Sequence, residues 1–576
     1  MSDVRLETVI DQLRSNLRGA GIALSEPDIQ SIAERGYLKP VLAFERATKD
    51  IPMDLVPEYL SAWECVAEDE DESESPALSP AAGAGHSSAV KLRPADLGST
   101  DPLRMSIHQV AAHIRSLEIS PRELVESSLR RIEERDPLIN AFQLVLADQA
   151  REEARRAEEE IRAGGYKGPL HGIPVAVKDI LDVAGTPTTA GSIIFSDRIA
   201  KADATAVARL RKAGAVIVGK TRMSEFAYSP GSNNDHYGPT RNPRALDRDT
   251  GGSSSGSAAA VADGMVFAAL GTDTGGSIRI PASFCGLAGL KPTYGRLSLH
   301  GGMSLAWSLD HLGPLARDVS DLAYLLGMLS GYDPLDARSR RQPEADSGAW
   351  ARRPEGVKGL RVGVLGDDGS GRSLASEEVL AAWRAGLGAL RDAGAVLVEL
   401  DLPELQSLRT LNSTILAIEA ATLHLSTLRG RLADYGDFPR LRLLAGWAYG
   451  PTDFVRAQQG SLVVRHRCDE IFDKVDLLST PTMSSEAPSL GSPGRLGFTS
   501  PFNLLGWPAM SVPCGLGAAG LPLGLQLVGK PWDEATVLLA ARAVEAGLSP
   551  GSASPGSASP GSAPPGSAPP DSAPPR

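Results

Sequence analysis

Apolar residues along this chain alternate between a helical period and a strand period, and the switch points outline its elements. Val4, Leu6, Val9, Ile10, Leu13 and Leu17 recur at helical spacing. Ser25 before Glu26, Pro27 and Asp28 reads as the cap of a second helix. A third helix is expected over 55–63. Ser120-Pro121-Arg122-Glu123 is a capping box with proline at the first helical position, opening a helix to about Arg135. Residues 147–163 form a highly charged helix. Then Val175 and Val177 alternate with Ala176 and Lys178, a strand that enters a core and ends on a lysine. Residues 204–213 read as an amphipathic helix and 215–218 as a buried strand, which makes an α/β unit.

A polar loop over 229–247 leads to an apolar run at 257–270, too short and Ala-rich for a membrane span. It reads as one buried helix, covering roughly 20 Å at 1.5 Å per residue. Strands are expected at 360–365, 395–400, 475–478, 510–512 and 524–528, with helices at 376–393 and 533–546. Gly363, Gly366 and Gly369 are spaced at three, which is not a dinucleotide fingerprint.

Composition divides the chain into four parts. Residues 1–66 are a small α-helical unit, too small to hold a large core alone, which is expected to dock on the main domain or on a partner. Residues 67–100 are an acidic, small-residue linker that cannot bury enough apolar area to order itself. Residues 101–546 are the main domain, and 547–576 a disordered Pro/Gly/Ser/Ala repeat. The net charge of −12 argues against nucleic acid as a direct partner. The four cysteines show no CxxC pairing and the nine histidines no HExxH pair, so neither a zinc site nor a disulfide framework is indicated. No run of 18 apolar residues occurs and the N-terminus lacks an apolar signal core, so a cytoplasmic protein away from membranes is expected.

The chemistry concentrates between Asp249 and Pro281. Two glycine-rich turns, Gly251–Gly256 and Gly271–Gly276, flank the apolar run, and Ser253 and Ser277 lie 24 residues apart. Gly-Gly-Ser turns can aim several backbone N–H groups at one point, as a developing oxyanion requires. Serine needs a base to attack at neutral pH. Lys178 either snorkels to water at its strand end or is held dry, where desolvation would leave it neutral and basic. Asp249-Thr250-Gly251 and Asp273-Thr274-Gly275 both spell DTG, but aspartic proteases draw their carboxylates from two distant lobes, and here the copies are 24 residues apart. Gly251–Ser257 lacks the Gly-Lys-Ser/Thr ending of a phosphate-binding loop.

These blocks resemble the amidase signature enzymes. The likeness rests on His171-Gly172-Ile173-Pro174-Val175-Ala176-Val177-Lys178-Asp179, Gly251-Gly252-Ser253-Ser254-Ser255-Gly256-Ser257-Ala258 and Gly271-Thr272-Asp273-Thr274-Gly275-Gly276-Ser277-Ile278-Arg279-Ile280-Pro281. It continues through Gly286–Thr293 and Pro508–Pro513 and covers roughly 101–546. Ser255 stands where many members carry glycine.

The resemblance implies an α/β fold, a single large domain with a central mixed β-sheet covered by helices on both faces. It implies a Ser–cis-Ser–Lys triad of Lys178 as base, Ser253 as bridge and Ser277 as nucleophile. The oxyanion would be held by the N–H groups of Thr274, Gly275, Gly276 and Ser277, and neither cofactor nor metal is required. Asp273 and Arg279 are expected to brace the loop. The substrate would be a small-molecule amide, and the macromolecular partner a second copy of the chain or a small helical protein.

Two functions within the family stand open. One is a hydrolase of small carboxamides. The other is the glutaminase component of a tRNA-dependent amidotransferase, which passes ammonia to a partner. That component usually has an aspartate before a Thr-x-Pro-x-Asn segment. Thr499-Ser500-Pro501-Phe502-Asn503 here follows Pro493-Gly494-Arg495-Leu496-Gly497-Phe498, with no acid. A third function, of another class, is an inactive scaffold on the same fold.

Overall fold

The computed structural model describes residues 3–48, 101–341, 355–367, 373–492 and 497–548. The helix expected at 55–63, the linker at 67–100 and the tail from 549 lie outside the described residues.

An 11-stranded mixed sheet forms the centre. Its first half, in spatial order, holds β1 (Phe142–Val145), β3 (Val216–Thr221), β2 (Pro174–Lys178), β6 (Ala268–Asp273), β8 (His311–Ala316) and β7 (Ala288–Lys291). β12 (Ala509–Leu516), β13 (Pro522–Gly529), β11 (Leu477–Pro481), β9 (Arg361–Val364) and β10 (Val396–Glu399) complete it. β2 runs parallel to both β3 and β6, while β6–β8, β7–β8 and β12–β13 are antiparallel. Alternation along β2 sorts its side chains between two cores. Val175 and Val177 join the larger cluster, and Ala176 joins the smaller one under the helix Ser255–Asp263. Helices therefore cover both faces, as expected from the resemblance.

The 257–270 run departs from its expected single helix. It is a helix only to Asp263, where Gly264 takes φ 81° and Met265 N–H bonds back to Ala260 O, 2.9 Å away. The residues beyond, Ala268–Asp273, become β6. Glycine at the left-handed cap ends the helix, and the following apolar stretch finds strand partners on both sides. The 229–247 loop likewise contains part of a two-stranded ribbon, β4 (Arg241–Asn242) with β5 (Ala245–Asp249).

Three N-terminal helices, α1 (Asp3–Gly19), α2 (Glu26–Glu34) and α3 (Lys39–Thr48), lie on the helices of the 400–470 region. Ser25 caps α2, accepting from Asp28 N–H at 3.3 Å. Leu13 and Leu17 of α1, one turn apart, are fully buried, and Asn16 Nδ2 donates to Trp447 O at 2.7 Å. Arg440 pairs with Asp28 of α2. No helix among the described residues is long and apolar enough to cross a membrane.

Candidate active site

The parallel register of β2 on β6 sets Val177 opposite Leu270. Lys178, the last residue of β2, therefore reaches the C-terminal end of β6, where Thr272 sits. Lys178 is fully buried, and its Nζ lies within hydrogen-bond distance of three hydroxyls: Ser253 Oγ at 2.7 Å, Thr272 Oγ1 at 2.9 Å and Ser254 Oγ at 3.1 Å. Burial drives its pKa down from 10.5 to about 7, against the pull of the Asp273 and Asp310 carboxylates. The dry alternative for this lysine is the one realised.

The neighbours of Lys178 are themselves placed by the glycine-rich turns. A Cβ at Gly271 would fall 2.7 Å from Ser254 Oγ, so glycine there makes room for the hydroxyl. Ser254 Oγ donates to Thr272 O at 3.2 Å and accepts from Thr272 N–H at 3.3 Å. The Gly252–Ser253 peptide is cis. Ser254 N–H donates to Ser277 O at 3.3 Å, which ties the two turns together. Of the three sequence-predicted catalytic residues, Lys178 and Ser253 thus touch directly. Ser277 is joined to the Ser253–Ser254 turn through the backbone and is 8% exposed.

One expected oxyanion donor is already occupied. Gly276 N–H donates to Asp273 Oδ1 at 2.7 Å, because the Asp273 carboxylate turns back over the loop that follows it. The same carboxylate takes the N–H of Ile278 at 3.1 Å. Among the described residues no acceptor engages the N–H groups of Thr274, Gly275 or Ser277, the other three expected donors.

Asp273 and Arg279 do brace this turn, and both are fully buried. Arg279 Nε and Nη2 grip Asp273 at 3.1 and 2.9 Å. Its remaining N–H groups go to Thr499 O at 2.9 Å, Gln526 Oε1 at 2.7 Å and Asn503 Oδ1 at 2.7 Å. Asn503 Nδ2 in turn donates to Asp273 Oδ1 at 2.8 Å. Burial alone would raise the Asp273 pKa, but the charge and hydrogen bonds of Arg279 hold it well below the usual carboxylate range. Replacing Arg279 with methionine would leave a buried, unpaired carboxylate. The expected loss is about 3–5 kcal/mol of stability, read from the denaturant midpoint. A loss under about 1 kcal/mol would mean that Asp273 finds another partner.

A second braced carboxylate, Asp310, accepts from Thr274 Oγ1 at 2.7 Å and Ser304 Oγ at 2.6 Å. Thr499 Oγ1 donates to Gly275 O at 2.6 Å. Sequence reasoning missed Thr272, Ser254 and Asp310. The first could have been found by laying β2 beside β6 in parallel register. Ser254 shares the glycine-rich turn of Ser253, but its contact with Lys178, like that of Asp310 with Thr274, joins residues distant in sequence.

The family model described as Amidase matches residues 123–538. Curated relatives include the A component of a glutamyl-tRNA(Gln) amidotransferase from Anaeromyxobacter sp. (strain K). It is 43% identical over 482 residues, covering 78% of this chain and 97% of that protein. The protein of the same name from Moorella thermoacetica is 38% identical over 476 residues, covering 77% and 96%. Among solved structures, one described as a vestigial protein complex revealing the evolutionary origins of an s-triazine catabolic enzyme matches with TM-score 0.72 at 37% identity. It covers 77% of this chain and 98% of that one. A peptide amidase in complex with the inhibitor chymostatin matches with TM-score 0.68 at 30% identity, covering 77% and 97%.

Proposed function

The chain belongs to the amidase family, and from that premise we propose that it cleaves a carboxamide C–N bond through a serine acyl-enzyme, with Ser277 as nucleophile, Ser253 as bridge and Lys178 as base. The observation that carries this reading is the buried Lys178 amine in contact with Ser253 Oγ at 2.7 Å. A neutral amine has two N–H groups and one lone pair. The Ser254 proton is committed to Thr272 O, so Ser254 can only accept from Lys178. With Ser254 and Thr272 taking the two N–H groups, the lone pair is left facing Ser253.

Ser253 O–H then gives its proton to Lys178 while taking one from Ser277. The Ser277 oxygen bonds to the amide carbon, and the tetrahedral oxyanion is held by the N–H groups of Thr274, Gly275 and Ser277. Each such donor contributes about 2.7–4 kcal/mol to the transition state. The proton returns through Ser253 to the departing nitrogen, the C–N bond breaks, and water releases the acid by the same relay. Residues 101–546 form the catalytic unit in this reading. Treatment with a fluorophosphonate should modify Ser277; an adduct mapped elsewhere, or none, would overturn the assignment.

A second reading of the substrate has its own support. The curated relatives described above are named as components of glutamyl-tRNA(Gln) amidotransferases, which favours glutamine as the amide and a partner protein as the receiver of ammonia. The absence of an acid before Thr499-Ser500-Pro501 weighs the other way. The α1–α3 unit, seated on the chain's own 400–470 helices, is the built-in counterpart of a small helical partner in either case. Ammonia release from glutamine by the chain alone, and with an added partner protein, separates the two. Turnover of small carboxamides without glutamine turnover supports the stand-alone hydrolase. Glutamine turnover stimulated by a partner supports the amidotransferase component.

A further inference from the structure

Buried polar atoms are nearly always paired. Among the described residues, two side chains that flank Gly275 of the proposed oxyanion turn carry atoms that are not. Asn412, on the helix Glu404–Leu423, is 2% exposed and its Nδ2 has no partner among the described residues. Ser500, just before the helix Pro501–Leu504, is 3% exposed and its Oγ likewise has none among them. The two side chains flank one residue. A methyl group placed on the Gly275 α-carbon would lie 3.8 Å from Asn412 Oδ1 and 3.8 Å from Ser500 Cβ. Gly275 is also the most exposed residue of the 271–280 stretch. The charged groups of the same turn are committed, Asp273 to Arg279 and Asp310 to Thr274 and Ser304.

Unpaired polar atoms on side chains that flank an unclaimed oxyanion N–H are costly in the empty protein and useful only once something fills them. We propose that Asn412 and Ser500 form a substrate subsite that receives a hydrogen-bonding group on the acyl side of the scissile amide. The substrates are then carboxamides whose acyl chain carries a polar acceptor a few bonds from the carbonyl, such as dicarboxylic diamides or amino-acid side-chain amides. Plain alkyl and aryl amides lack the partner. This rests on the Ser277 reading and narrows it.

The test compares succinamide with 4-methylpentanamide, two primary amides of the same skeleton, in wild type, Asn412→Leu and Ser500→Ala. Wild type is expected to favour succinamide in kcat/KM by at least about tenfold, because a site built to hydrogen-bond a group rejects the analogue lacking it. Either substitution should bring that ratio toward one. A ratio of two substrates on one variant cancels any general loss of folding, and Ser500→Ala covers a failure of Asn412→Leu to fold. The same pair compared as protectants against fluorophosphonate labelling of Ser277 gives a readout that needs no turnover. Equal ratios in wild type, or ratios unmoved by both substitutions, overturn the subsite alone. Absence of any labelling at Ser277 overturns the reading beneath it.

Discussion

Replacing Ser277 with alanine is expected to lower kcat on every amide substrate by on the order of 10⁵- to 10⁶-fold, the scale found when a serine nucleophile is removed. The fold should survive, because the bonds that position this residue come from its backbone. Its carbonyl still receives Ser254 N–H at 3.3 Å, and the Asp273–Arg279 brace that shapes the turn is untouched. The melting temperature should therefore stay within a few degrees while fluorophosphonate labelling disappears. Ser253→Ala breaks the relay without removing the attacking oxygen. The two substitutions together should cost little more than Ser277→Ala alone, since residues acting as a unit are not additive. Turnover by Ser277→Ala above about 1% of wild type would be too high for a lost nucleophile and would support a scaffold or a different attacking group.

Some of this site can be read directly in the chain, and the reason differs from residue to residue. Lys178 is locatable because PVAVK is short, buried and alternating, so its polar end must fall at a strand terminus. Ser253 and Ser277 are locatable because each sits in a glycine-rich turn within one contiguous stretch. The 257–270 run misleads because alanine-rich apolar sequence fits a buried helix and a buried strand equally well. Only Gly264 marks the change, and a single glycine inside an apolar run is weak punctuation. Gly276 differs from its expected role because the acceptor that claims its N–H, Asp273, reads in the sequence only as a brace. Asn412, Ser500 and Thr499 meet the turn from more than 100 residues away, and no local pattern encodes that meeting. What can be inferred about them comes from unpaired atoms and close approach, which exist only once the chain is folded.

Substituting Lys178 is expected to cost about 10²–10⁴-fold in kcat/KM, the contribution of a positioned general base. It should also remove the acid limb of the pH profile. In wild type that limb should follow a single deprotonation with a midpoint near the Lys178 pKa of about 7, activity falling as the amine takes up a proton below it. Lys178→Arg is the sharper variant, since guanidinium stays charged and offers no lone pair, so it should be inactive across the whole range. Stability supplies an independent check on sign. The pKa in the folded protein lies below the unfolded value near 10.5, so between about 7 and 10.5 the unfolded chain binds more protons than the folded one. This group's contribution therefore improves as pH rises through that window, and below pH 7 the full cost of burying the cation is present. Against Lys178→Met, which removes the charge but keeps the bulk, wild type should gain relative stability from about pH 6 to about pH 10. Thr272→Val, which takes away one acceptor for the Nζ hydrogens, should shift the kinetic midpoint while leaving Ser277 labelled. A relative stability that is flat or falls over the same pH range, or a kinetic midpoint that stays above about pH 9 in wild type, would mean the amine is charged at neutral pH, and the proton relay would lose its base.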